Sequence, residues 1–539
     1  MAGIYINPGN EGFKEIVRGR YIDKTGLISI VNSRLNTPDK LLCVSRPRRF
    51  GKTFASKMLC AYYDCSCDSH ELFDDLDISD SGDYSSFLNK YNVICFDVTS
   101  FISIAKIKKL PLDAVPGLIA DSIRNELCEM HPELSAEDSL TDCILDCVDG
   151  YGNDQGGKYI FIIDEWDALI REAKDQPHVQ ELYLDLLREW FKNISFTSKA
   201  VAGVYMTGIL PIKKDGSQSA ISDFNEFTIL DPGVLSQFTG FTENEVSDLC
   251  GIYDVEYEDI KAWYDGYYLE GVGSVYNPYS VMSALNNGKV RSYWKKTSAA
   301  DSLETYISMD FEGLQEDVLR LIAGENLEVY TEGFNNDIDN FASKDDVLTL
   351  MIHLGYLSYD PDTSRVHIPN EEVRLEFKDL LRRKDSGRRS RMFELIEELD
   401  RLYMDTIGGN EERVAAAIEK IRNSNYAPTF YNNEQALRYV IKFAYISCID
   451  RYMKVEELPS GKGIADVVYI PKNMTADPAI VVELKWDKSG GAAIEQIEKK
   501  NYPAVLSGYS GDIVLVGIEY DSKSKRHSCK IRLTEIQEL

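Results

Sequence analysis

Two short stretches of this chain bring together residue types that handle phosphate. The first is Ser45-Arg46-Pro47-Arg48-Arg49-Phe50-Gly51-Lys52-Thr53, set between the apolar run Leu41–Val44 and a helix-like segment, Phe54–Cys65. In a strand–loop–helix setting, the backbone N–H groups of the loop and of the helix start face the phosphates. Lys52 then supplies a point charge to the β- and γ-phosphates, and Thr53 a hydroxyl to magnesium. Gly51 has no Cβ and lets the backbone come close. The second stretch is the apolar run Lys158-Tyr-Ile-Phe-Ile-Ile-Asp164-Glu165. It ends in two carboxylates, Asp164 to hold the magnesium shell and Glu165 to orient or activate water. Alone, either is weak: Gly-Lys-Thr often merely starts a helix, and buried strands often end in surface acids. In this order they point to a P-loop protein that binds and hydrolyses ATP with Mg2+. A third run, Ala200–Met206, ends at Thr207-Gly208. Thr207 reads equally as a sensor of the γ-phosphate and as a plain strand-to-loop turn.

These groups need strands that end side by side. Apolar runs at Lys40–Val44, Tyr91–Asp97, Lys158–Ile163 and Ala200–Met206 alternate with helical periodicity at Asp113–Met130 and Val179–Lys192. Strands alternating with helices predict an α/β domain over 1–240 whose parallel sheet is covered on both faces. Residues 241–427 read as a helical lid and connecting region: aromatic-rich short helices, then amphipathic helices with a charged break at Arg382–Arg391. Residues 428–539 change character, with a helix at Asn433–Ile446 and strands near Met453–Val455, Ala465–Ile470, Ala479–Lys485 and Ile513–Ile518. A helix at Ala492–Lys500 precedes the last of these, which makes a separate α/β module.

Charge and composition narrow the class. The chain carries a net charge of −29 over 539 residues, which argues against a protein that coats nucleic acid. Residues 431–539 hold 15 Lys+Arg and 15 Asp+Glu, so all of the excess lies before them. The C-terminal module is therefore the least repulsive place for DNA. No run of about 18 apolar residues is present, so no membrane partner is expected. The start, Met1 to Gly12, lacks the pattern of a signal peptide. The 11 cysteines are scattered or flanked by apolar residues, which suits free thiols in a reducing cytoplasm. Cys65-Ser-Cys67 and Cys143-x3-Cys147 have no second pair at zinc spacing.

The stretch Arg46–Thr53 resembles the P-loop of the bacterial and archaeal AAA-ATPase-like family. Tyr21-Ile-Asp-Lys-Thr25, Ile163-Asp-Glu-Trp-Asp167, Thr207-Gly-Ile-Leu210, Phe238-Thr-Gly-Phe241, Trp263-Tyr-Asp-Gly-Tyr267 and Tyr276-Asn-Pro278 match that family in order. The resemblance covers roughly residues 5–300. It implies an AAA-like P-loop NTPase with a nucleotide site built from Arg46, Arg48, Arg49, Phe50, Gly51, Lys52, Thr53, Asp164 and Thr207. Thr53 and Asp164 would hold magnesium, and Glu165 would be catalytic. Arginine in place of the first P-loop glycine is usual in the family. Arg46, Arg48 and Arg49 either add positive charge near the phosphates or pair with carboxylates of this acidic domain. Trp166 stands where the family has tyrosine. Trp263, Tyr264 and Tyr267 read as core packing rather than an adenine cage.

The same resemblance implies a PD-(D/E)XK restriction-endonuclease-like domain at the C-terminus. Asp466 lies on one strand, and Glu483 and Lys485 share a face of the next, two residues apart. Asp466 and Glu483 would hold Mg2+, Lys485 would orient water, and Gln496 would face the site, with Tyr502 completing the family pattern. Glu434 and Glu457 compete as a third acid. Ile464 stands where the family often has arginine, and basic residues near the site are few, namely Lys488, Lys499 and Lys500. Three readings follow. One is an ATP-regulated nuclease acting on foreign DNA. A second is a switch NTPase whose C-terminal domain binds nucleic acid or protein without cutting. The third is an interaction scaffold with a degenerate nucleotide site. A homo-oligomer is compatible with all three.

Overall fold

The structure, a computed structural model, describes residues 3–539 except 136, 151–156, 213–220, 222, 295–305, 308–310, 312, 323, 335–340, 383–390, 426–436, 439, 442–443, 446–451, 461–462, 472–476, 488–508, 510 and 536–539. The chain forms two compact units. One comprises Met1–Thr297 with Leu327–Val373, the other Ser298–Asn326 with Arg374–Leu539. The stretch 241–427, expected as one connecting region, is divided between them.

In the N-terminal unit the apolar runs become strands β1 (Leu41–Ser45), β2 (Asn92–Asp97), β3 (Tyr159–Asp164) and β4 (Val201–Gly208), with a short edge strand β5 (Asn225–Phe227). They form one sheet in the order β2-β3-β4-β1-β5, parallel throughout. Every residue of β1, β3 and β4 is buried, as continuous apolar runs in a parallel sheet require. The period of two sorts their side chains between two cores. Leu41, Cys43, Phe161 and Ile163 meet the helices Val98–Lys108, Val115–Met130, Leu140–Gly150 and Pro177–Phe191 on one face. Leu42, Val44, Ile160 and Ile162 meet the helix Lys52–Tyr63 and the N-terminal segment on the other. The register of β4 against β3 slips between Tyr159 and Ile160, so Val201 and Val204 share a core despite their odd spacing.

The rest of this unit is not only helical. Strands β6 (Phe241–Thr242), β7 (Tyr267–Leu269) and β8 (Gly273–Tyr276) make an antiparallel sheet. Beside it pack the helices Glu243–Tyr253, Tyr257–Tyr264 and Pro278–Asn287. Strands β9 (Leu327–Glu328), β10 (Ser358–Asp360) and β11 (Arg365–His367) form a further small sheet.

The second unit is built on β12 (Tyr452–Ser460), β13 (Gly463–Pro471), β14 (Ala479–Trp486), β15 (Asp512–Asp521) and β16 (Arg526–Glu535), in that spatial order. The sheet is mixed: β14 and β15 run parallel and the other neighbours antiparallel. A parallel pair needs a crossover connection; most of it, with the expected helix Ala492–Lys500, lies outside the described residues. Strand β16 was not expected from the sequence.

Candidate functional site

Strand β1 ends at Ser45 and the helix Lys52–Tyr63 begins six residues after Arg46. Gly51 caps that helix at φ +89°, a left-handed conformation that favours glycine, and no side chain caps the first turn. Lys52 is almost fully buried. Its ammonium donates to the carbonyls of Arg46 and Pro47, each at 3.0 Å, and lies 3.6 Å from Glu165 Oε1. Burial pushes this ammonium below its usual range, against the pull of Glu165, Asp164 and Asp167. Thr53 is exposed at the helix start.

The carboxylates stand at the tip of β3. Asp164 is buried; its Oδ1 accepts from the Thr207 hydroxyl, at the tip of β4, and from the Glu165 amide. Glu165 has φ +51°, uncommon for a residue with a Cβ and frequent at active sites. Its Oε2 accepts from Arg171 Nη2 at 2.6 Å. Arg171 also donates through Nε to Asp167 Oδ2 at 2.8 Å. Arg171 was not singled out from the sequence, where its only signal is a spacing of four from Asp167.

A cavity of about 540 Å3 opens beside these groups. Arg49, Phe50, Gly51, Lys52, Thr53 and Glu165 line one part of it, and Ile22, Phe54, Met58, Phe238, Phe241 and Met282 another. A charged end beside an apolar end is the usual build of a small-ligand site. Arg49 stacks 4.0 Å from the ring centre of Tyr279 and donates to the Tyr293 carbonyl.

Arg46 corrects an expectation. It is fully buried and does not line the cavity: Nε donates to Thr239 Oγ1 at 2.9 Å, and Nη1 to the carbonyls of Ser45 and Phe227. Burial pushes its guanidinium down to about 10. Its side chain ties the loop to the Thr239 hydroxyl and to two backbone carbonyls instead. Arg48, Asp164 and Thr207 also lie off the cavity lining.

The remaining motifs hold the loop from outside. The Gly240 amide donates to the Phe50 carbonyl, and Phe50 meets Tyr267 edge to face at 5.1 Å. Asn277 caps the Pro278–Asn287 helix and donates to the Arg48 carbonyl. Lys24 bridges to Glu245 at 2.6 Å and to the Gln237 carbonyl. Tyr264 and Tyr267 are buried, donating to the Arg291 and Gly355 carbonyls; with Trp263 they lie off the cavity lining.

In the second unit Glu483 and Lys485 of β14 are buried. Lys485 Nζ donates to Glu483 Oε1 and to the Leu484 carbonyl, both at 2.9 Å. The β13–β14 register pairs Val467 with Val482; continued by one residue, it brings Asp466 level with Glu483. Gln496, Tyr502 and Glu434 lie outside the described residues.

A five-stranded parallel sheet with a Gly-Lys-Thr loop between β1, which lies between β4 and β5, and a helix is a P-loop α/β fold. Residues 8–217, less than half of the chain, match the model of the AAA-ATPase-like family, described as predicted AAA-ATPase. The N-terminal unit thus contains an AAA-ATPase-like domain. No curated protein matches the chain. Among solved structures it is similar to the Aeropyrum pernix ORC2 protein in ADPNP-ADP complexes, at 11% identity and TM-score 0.32, covering 67% of this chain and 95% of that one. It is also similar to AMPPCP-bound DnaA from Aquifex aeolicus, at 10% identity and TM-score 0.20, covering 63% and 81%. Among the described residues no helix is long and apolar enough to cross a membrane.

Proposed function

We propose that the N-terminal unit binds ATP with magnesium in the cavity beside Lys52 and hydrolyses it. The observation that carries this is the meeting of Gly51, Lys52, Thr53 and Glu165 on one cavity wall with an apolar wall beside them. A triphosphate there offers the buried Lys52 ammonium anionic oxygens in place of two neutral carbonyls, and the uncapped amides of the helix start offer donors to the phosphates. The apolar wall suits a nucleobase. Magnesium fits the donor set: Thr53 and Asp164 supply a hydroxyl and a carboxylate, hard oxygens of the kind that ion takes alongside phosphate oxygens and water. Among the described residues no group of three or more His, Cys, Asp or Glu could hold a metal without such help. When bound, the ion neutralises phosphate charge. Glu165 accepts a proton from, or orients, the attacking water, and Thr207 fixes the Asp164 carboxylate.

For the C-terminal unit the reading is a PD-(D/E)XK nuclease-like module acting on DNA under the control of the ATP site, with foreign DNA as its target. Asp466 level with Glu483, and Lys485 beside it, support this. Lys485 occupies the Glu483 carboxylate. That same pairing favours the second reading, a switch NTPase whose C-terminal unit binds without cutting. Calorimetry with Mg-ATP on wild type and Lys52→Ala tests the first unit: absence of binding in wild type removes the ATP reading. Plasmid cleavage with Mg2+ by wild type and Glu483→Gln tests the second: cleavage unchanged in Glu483→Gln rules out this site.

A further inference from the structure

Behind Glu165 lies a cluster that nucleotide binding does not explain. Asp167 is fully buried, and its Oδ2 accepts three hydrogen bonds: from Arg171 Nε at 2.8 Å, from the Ile209 amide at 3.2 Å and from the Leu210 amide at 2.9 Å. Its Oδ1 takes Arg171 Nη2 at 3.4 Å. Arg171 is thus held as a fork on one carboxylate while the same Nη2 reaches Glu165 at 2.6 Å. An Asp–Arg pair four residues apart is usually a weak surface contact. Here one partner has no exposure, and the other shows only 20%. The exit of β4 is pressed against the cluster: a Cβ on Gly208 would come within 2.7 Å of Trp166 and 2.8 Å of Asp167. Only glycine allows that approach.

We propose that Arg171 is a positioning residue for ATP hydrolysis, holding the Glu165 carboxylate at the Lys52 end of the cavity through Asp167 and the β4 exit. This rests on the reading of that cavity as the ATP site. Of the cations around Glu165, Arg48 acts on it electrostatically, while Lys52 and Arg171 lie within ion-pair distance of its carboxylate. Lys52, at 3.6 Å, is the one a triphosphate would draw away, and Arg171 is the one that stays. With a backbone at φ +51°, Glu165 needs such an anchor to keep one geometry.

The test is steady-state ATP turnover by wild type, Arg171→Ala, Arg171→Lys, Glu165→Gln and the double variant Glu165→Gln/Arg171→Ala, with melting curves as the folding control. Arg171→Ala is expected to lower kcat about 30-fold, as loss of a positioning contact does, with KM within about threefold of wild type. Arg171→Lys keeps a charge but not the fork, and recovers part of the loss. The double variant is expected to be no slower than Glu165→Gln alone, because a residue acting through Glu165 has nothing left to position. An unchanged kcat in folded Arg171→Ala overturns the proposal, and so does a double variant slowed by the full factor of both changes. Should Arg171→Ala melt early, Arg171→Lys combined with Glu165→Gln decides the same question. Wild type that binds Mg-ATP without turning it over overturns this role and leaves the binding reading intact. Wild type that binds no ATP overturns both.

Discussion

Each unit carries a buried lysine beside a glutamate, and the two pairs differ in what surrounds them. Lys485 sits 2.9 Å from Glu483, two residues away on one strand, and its other bond is to the carbonyl between them. Both of these Lys485 contacts stay within three residues of chain. Lys52 keeps 3.6 Å from Glu165, 113 residues on, and rests on two loop carbonyls. Glu165 in turn is held by Arg171, Arg171 by Asp167, and Asp167 by backbone of the β4 exit. The Lys485 contacts are local; the second pair is one edge of a network that faces a cavity. A motif states which residues are present. The network around it states whether they are arranged to exchange partners.

The contrast between the pairs is tested most severely at Glu165. Glu165→Gln keeps the shape and loses the base, so ATP turnover should fall about 1000-fold while calorimetric affinity for Mg-ATP holds. Comparable turnover in the variant would move catalysis elsewhere. The local Glu483–Lys485 pair predicts a stability effect. Glu483→Leu strands a buried ammonium and should cost about 3 kcal/mol in denaturant unfolding, whereas Glu483→Leu/Lys485→Met should recover most of it. No recovery would mean that the stability is carried by other contacts of Glu483.

Lys52→Ala should weaken Mg-ATP binding on the order of 100-fold, the scale of a charge-assisted contact. A change under threefold would mean that Lys52 does not meet the phosphates. The smallest effect concerns His527, whose ring is buried beside Glu419. Burial outweighs the attraction of Glu419 and pushes the imidazole down to about 4 from 6.5. The folded chain therefore favours the neutral ring. Its contribution is complete above the unfolded value and is lost as pH falls from about 6.5 towards 4. His527→Phe should flatten that part of the pH–stability curve for the second unit. An unchanged slope would assign it to other groups.

The sheet of the first unit was legible because its strands are continuous apolar runs: Leu41–Val44, Lys158–Ile163 and Ala200–Met206 fall within two residues of β1, β3 and β4. The places of Lys52 at a helix start and of Asp164 at a strand end were legible because a helical segment borders the first and an apolar run the second. Arg46 was misread because three arginines in one loop look alike in sequence; the acceptors that bury one of them, Thr239 and the Phe227 carbonyl, are about 180 residues or more away. Arg171 was missed because an arginine in a charged helix is ordinary until its partner proves to be buried. Strand β16 was missed because it is no continuous apolar run: Lys530 and Arg532 alternate with Cys529, Ile531 and Leu533.

The first unit is discontinuous: it stops at Thr297 and resumes over Leu327–Val373. The resumed piece supplies the Gly355 carbonyl to Tyr267, the Glu372 carboxylate to the Tyr293 amide and the Pro369 carbonyl lying against Gly266. During synthesis these contacts wait until residue 373 has left the ribosome, by which time Ser298–Asn326, part of the other unit, has already emerged. The two units cannot be made strictly one after the other. A gene fragment that stops near residue 300 would encode the whole phosphate loop without part of the backbone that steadies its outer wall.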